Sequence, residues 1–166
     1  MSTARFAQIS VGMNVSGAVL KIDDLHLLFQ QGDICALESA SDVNSAAPRE
    51  KSVGWINYMR QRWPVYCLSD QLHLLNSVPP ARRTCALMAF ETGYIGLLCD
   101  DMHIIKQATG QQHDVPLVMK NAHMPISALI PSGDKLLCAS NQRLLATYLA
   151  LQICNPSLPE EMSCIV

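Results

Sequence analysis

The chain has 166 residues, 49% of them apolar and only 16% charged, with a formal net charge of −2. That length fits one domain, or two small subdomains around a shared core, with no need of covalent staples. A charged share below the usual ~25% predicts exposed apolar area and hence a partner, whereas Lys and Arg form no stripe that would suit nucleic acid or an anionic membrane surface.

Residues 1–20 are mildly apolar, but Gln8, Ser10, Asn14 and Ser16 interrupt them, so they read as a flexible N-terminal arm rather than a leader. No apolar run approaches the roughly 18 residues a membrane-crossing helix needs, so no membrane insertion is expected. From there on, short apolar runs bounded by Gly, Pro, Asp or Ser predict strands. Residues 25–29 and 34–37 read as one hairpin around Gln30-Gln31-Gly32-Asp33. A polar, Ala/Ser-rich stretch, 39–51, reads as an exposed loop. Residues 84–90 and 94–99 form a second hairpin around Glu91-Thr92-Gly93, and 127–130 and 135–139 a third around Pro131-Ser132-Gly133-Asp134. Each tip holds a glycine, which can adopt the positive φ of a tight turn. Phe29-Gln30-Gln31-Gly32-Asp33-Ile34 and Phe90-Glu91-Thr92-Gly93-Tyr94-Ile95 share one pattern, which points to an internal duplication.

Two helices are expected. Ser69 can cap a short one over 69–75. Ser140 or Asn141 can cap a longer one over 142–153, where Leu144, Leu145, Tyr148, Leu149 and Leu151 give a broad apolar face and Asn155-Pro156 ends it. The domain is expected over 21–155, followed by a tail, 156–166. Residues 107–125 read as a long irregular stretch.

Catalytic constellations are missing from this pattern. His26, His73, His103, His113 and His123 have no zinc-ligand spacing among themselves or with the seven cysteines. Asp100-Asp101 could do acid–base work only if burial split its pKa values, and such a pair at a strand end commonly faces water. Cys67 and His73 lie six positions apart, a weak sketch of a thiol nucleophile and its base. No phosphate-binding, dinucleotide or nucleophile-elbow motif occurs. The cysteines lie mostly in apolar runs with no C-x-x-C spacing, which predicts a reducing, cytoplasmic setting. No cofactor or metal is expected.

The most individual stretch runs from Val53 to Leu68. It reads as strand, basic tip, strand, with Met59, Arg60, Gln61 and Arg62 at the tip. Trp and Arg are the residue types most enriched at binding hot spots. Trp55, Asn57, Met59, Arg60, Arg62, Trp63 and Pro64 are therefore the candidate partner-binding residues. The competing reading makes Trp55 and Trp63 core residues beside a solvated turn.

Here the chain resembles the CheW family of chemotaxis coupling proteins. Members carry Gly-aliphatic-aliphatic-Asn-x-Arg-Gly, then Pro-Val-x-Asp-Leu. Gly54, Ile56, Asn57, Pro64, Val65 and Leu68 match at the same spacing, and Tyr94-Ile95-Gly96-Leu97-Leu98-Cys99-Asp100 looks like the family's Ile-Gly-Leu-x-Val-Asp strand. The resemblance implies a mainly β protein: two packed, SH3-like, five-stranded barrel subdomains with a short helix and a C-terminal helix. It also implies a non-catalytic adaptor between a histidine kinase regulatory domain and a chemoreceptor tip. Two positions depart from the pattern. Met59-Arg60 stands where the family has Arg-Gly, and Cys67 where it has Asp. A one-residue shift of the arginine turns it to the opposite face if the strand register holds, or a bulge re-aims it. A second reading follows from this, a divergent member with another partner, as in type IV pilus control. A third is a small thiol- or metal-dependent enzyme.

Overall fold

A computed structural model describes residues 17–46, 48, 51–91, 93–106, 112–116 and 124–154. Among these lie ten strands and one α-helix. The strands are β1 (Gly17–Ile22), β2 (Leu25–Gln30), β3 (Ala36–Ser39), β4 (Gly54–Tyr58) and β5 (Gln61–Cys67), then β6 (Thr84–Phe90), β7 (Gly93–Cys99), β8 (Asp101–Ile105), β9 (Ala128–Ser132) and β10 (Lys135–Ala139). The helix, α1 (Gln142–Cys154), follows, with Asn141 Oδ1 accepting the Leu144 N–H at 2.8 Å as the expected cap.

The strands form two five-stranded sheets, ordered β8-β1-β2-β10-β9 and β3-β6-β7-β5-β4. Read across, both sheets run antiparallel, antiparallel, parallel, antiparallel. They are one pattern used twice. The second sheet takes its strands from a continuous stretch, β3 to β7. The first takes β8, β9 and β10 and completes itself with β1 and β2 from the other end of the chain.

Three apolar clusters follow from strand alternation. Leu20, Ile22, Leu27 and Phe29 of the first sheet meet Tyr66, Met88, Ile95 and Leu97 of the second, and α1 adds Leu145 and Leu149. That is the shared core. The second sheet curls over its own cluster, with Ile56, Trp63, Val65, Cys67 and Leu87, and the first over Val19, Leu28, Ile130 and Leu137.

Five sequence expectations are corrected. Residues 25–29 and 34–37 are not a hairpin, because β2 already lies between β1 and β10 and has no edge left for β3. The chain passes through a 3-10 turn at Gln31–Asp33 and enters the other sheet. The duplication therefore resides in strand order, and the Phe-to-Ile match is not its mark. The arm does not extend to residue 20: β1 starts at Gly17, and Ala18, Val19 and Leu20 are fully buried between two neighbouring strands. Residues 1–16 and the tail 156–166 lie outside the described residues.

The short helix over 69–75 is a turn. Ser69 Oγ does accept the Gln71 and His73 N–H groups. Leu72, however, sits at φ +68, which stops a right-handed helix, and Leu68 bridges to Leu74. Finally, Asp100 does not face water. Its side chain is only 9% exposed and sits in an ion cluster.

That cluster centres on Arg82, whose side chain is 0% exposed. Its Nη1 donates to Asp23 Oδ1 at 3.0 Å and Asp100 Oδ1 at 2.7 Å. Its Nη2 donates to Asp23 Oδ2 at 2.9 Å and the Leu68 carbonyl at 3.0 Å. The Asp23 N–H returns to Asp100 Oδ2 at 2.8 Å. Asp23 belongs to the β1–β2 turn of the first sheet, while Leu68 and Asp100 follow β5 and β7 of the second. One buried guanidinium thus ties the two sheets together.

Candidate functional site

The β4–β5 hairpin is paired from Gly54↔Val65 to Tyr58↔Gln61, leaving Met59 and Arg60 as a two-residue tip. Gly54 is required at its base, since a Cβ there would collide with the Asn44 carbonyl oxygen and come within 2.8 Å of Val43 Cγ1. Met59 has φ +51 and Arg60 φ +64. Two successive positive φ values make the I′ type of turn that suits the twist of a hairpin and normally calls for Asn-Gly. A side chain in that conformation costs roughly 1–2 kcal/mol. The turn is held from beneath: Trp63 Nε1 donates to the Tyr58 carbonyl at 3.0 Å.

Alternation sorts the seven candidate residues. Trp63 points inward and is only 3% exposed. Tyr58 meets its ring edge-on at 5.6 Å, and Tyr94 from β7 lies over it at 4.6 Å with its own side 41% exposed. Pro64 is buried as well. Its missing N–H is no loss towards β4, because the facing residue, Trp55, exchanges both backbone hydrogen bonds with Asn44 instead. The β5–β7 ladder begins one residue later, at Val65.

On the outward face, Arg62 stands opposite Asn57, and its guanidinium lies 4.5 Å from the centre of the half-buried Trp55 ring. Asn57, Met59, Arg60 and Arg62 are exposed, Met59 to 75%. The displaced arginine, Arg60, is therefore on neither strand face. It occupies the left-handed turn position where the family pattern has glycine, and Arg62 is the arginine on the strand. Sequence reasoning missed Tyr58 and Tyr94. Alternation along Tyr94-Ile95-Gly96 was the signal for the second.

The chemistry outside the hairpin is mostly closed off. Cys67 is 0% exposed, and burial pushes its thiol pKa up even with the Arg82 guanidinium beside it. Thiolate, the nucleophilic form, is disfavoured there. Burial holds Cys99 up to about 12. Among the described residues no three His, Cys, Asp or Glu side chains are grouped to hold a metal, and His123 lies outside those residues. Among the same residues no helix is long and apolar enough to cross a membrane.

No protein-family model matches the sequence, and no curated protein gives a significant sequence match. Structure is more informative. The crystal structure of the scaffolding protein TtCheW from Thermoanaerobacter tengcongensis superimposes with a TM-score of 0.62, covering 78% of this chain and 90% of that one at 16% identity. Two five-stranded sheets in matching order, the Gly54–Leu68 segment and this superposition together give the chain the CheW fold.

Proposed function

We propose that this protein is a chemosensory adaptor that joins a histidine kinase regulatory domain to the cytoplasmic tip of a chemoreceptor through the end of its β4–β5 hairpin. The observation that carries the reading is that hairpin. Met59 and Arg60 at the tip and Arg62 beside them on β5 are exposed around buried Trp63, and the tip conformation is one that glycine would adopt more easily. Exposed Met and Arg over an aromatic base form the composition of a binding hot spot. The likeness to a scaffolding protein supports an adaptor over an enzyme, as does the full burial of Cys67, which pushes its thiol pKa up. Because Trp63 is core, it supports the surface and does not contact the partner.

Binding of the full chain to an isolated kinase regulatory domain and to an isolated receptor tip tests the reading. Saturable binding to at least one is expected, with transient-adaptor affinity in the micromolar range. Binding to neither, while the chain is folded, would leave the second reading, a different protein partner. The specific observation in its favour is Met59-Arg60 in the place of Arg-Gly.

A further inference from the structure

Among the described residues, neither arginine of the hairpin end has an acidic partner of its own. Among the described residues the ion pairs belong to Lys21 and Arg82, with Asp23 and Asp100 as their acceptors. Arg62 is held over the Trp55 ring, and Arg60 is held out by a backbone conformation that glycine would adopt at no cost. Backbone strain at an exposed, charged position points to use rather than architecture. Beside them Met59, the most exposed of the large apolar side chains described, offers a flexible, polarizable contact.

We infer that the occupant of this hairpin end is an acidic protein surface, one that presents carboxylates to Arg60 and Arg62 around an apolar socket for Met59. This rests on the adaptor reading and names the chemistry of its partner. A net charge of −2 and the lack of any other basic stripe disfavour a nucleic acid at the same place. Arg62, pre-oriented by its ring, suits bidentate pairing with a carboxylate, while Arg60 steers approach. The strain at Arg60 also implies a trade: the residue that serves binding weakens the fold.

The test uses the full chain and the variants Arg60→Gly, Arg62→Gln and, as a control, Arg143→Gln on the exposed face of α1. Two probes are titrated, an oligoglutamate peptide and the kinase regulatory domain, at low and at physiological salt. Expected is a roughly tenfold loss of affinity for Arg62→Gln and for Arg60→Gly, a flattened salt dependence, and no change for Arg143→Gln. Arg60→Gly should at the same time raise Tm by about 2–4 °C. Unchanged affinity for both probes in the two hairpin variants would overturn the inference, as would an equal loss in the control or preferential binding of an oligonucleotide. If the wild-type chain binds oligoglutamate through these arginines but neither the kinase domain nor the receptor tip, the adaptor reading fails and the acidic-partner inference stands.

Discussion

The β4–β5 and β9–β10 hairpins are the same piece of architecture with different chemistry at the end. Both have two-residue tips and both sit on the outer flank of their sheet. Counting inward from the tips, Ile56 and Trp63 correspond to Ile130 and Leu137, a buried pair in each case. The outward pair Asn57–Arg62 corresponds to Pro131–Leu136. At the tips, Met59-Arg60 corresponds to Gly133-Asp134, where glycine takes the positive φ of +63 without a side chain. The fold can therefore be closed with glycine and without arginine. What distinguishes the β4–β5 end was not imposed by the sheet, and that is the reason to look for function there.

The comparison can be broken or sharpened by substitution. The largest effect is expected where the two sheets meet. Arg82→Met leaves Asp23 and Asp100 without their shared partner and should cost about 3–5 kcal/mol in chemical denaturation. A loss near zero would mean that the shared apolar core alone holds the sheets. Next come the equivalent inward residues. Trp63→Ala should cost about 3–5 kcal/mol and Leu137→Ala about 2–4. Trp63→Ala with unchanged Tm would show that its ring is not the support of the tip.

The tips themselves should respond with opposite signs. Arg60→Gly is expected to stabilise by about 1 kcal/mol and Gly133→Ala to destabilise by about 1 kcal/mol, both read from denaturant midpoints. Equal signs would remove the argument that one tip is strained and the other relaxed. The smallest effect is in acid. Hydrogen bonding from Arg82 holds the Asp23 carboxyl below the ordinary aspartate value of 3.8. Its contribution is therefore fully present above that pH and is lost as pH falls through the lower folded value. Thermal stability should drop below about pH 4 by a component that Asp23→Asn abolishes. The same acid profile in that variant would assign the drop to other groups.

Much of this was legible in the residues. The β6–β7 and β9–β10 hairpins, the β4–β5 strands and the C-terminal helix all follow from short apolar runs, turn residues and one cap. The β2–β3 error is instructive because Gln30-Gln31-Gly32-Asp33 is as good a turn as any of the others. What forbids a hairpin there is that β10, more than a hundred positions later, takes the edge β3 would need. Arg82 escaped for the same reason, since its partners lie 59 and 18 positions away and no local spacing announces them. At the hairpin, alternation would have sorted Trp63 from Arg62 once the register was known. The one-residue displacement of the arginine had two readings, and the turn produced a third, an arginine seated in a glycine's conformation.

The offset of the repeat has a consequence in time. The second sheet is complete once the chain has reached Cys99, whereas the first must wait for β10 to arrive and pair in parallel with β2. On a ribosome that makes β1 and β2 an orphaned ribbon, with both edges open until β8 arrives and the β2 edge open until β10 does. Closing so long a loop is slow, and parallel pairing adds to the delay. Refolding should show an early phase in which β4 to β7 gain hydrogen-exchange protection and a late one in which Leu27 and Cys138 become neighbours.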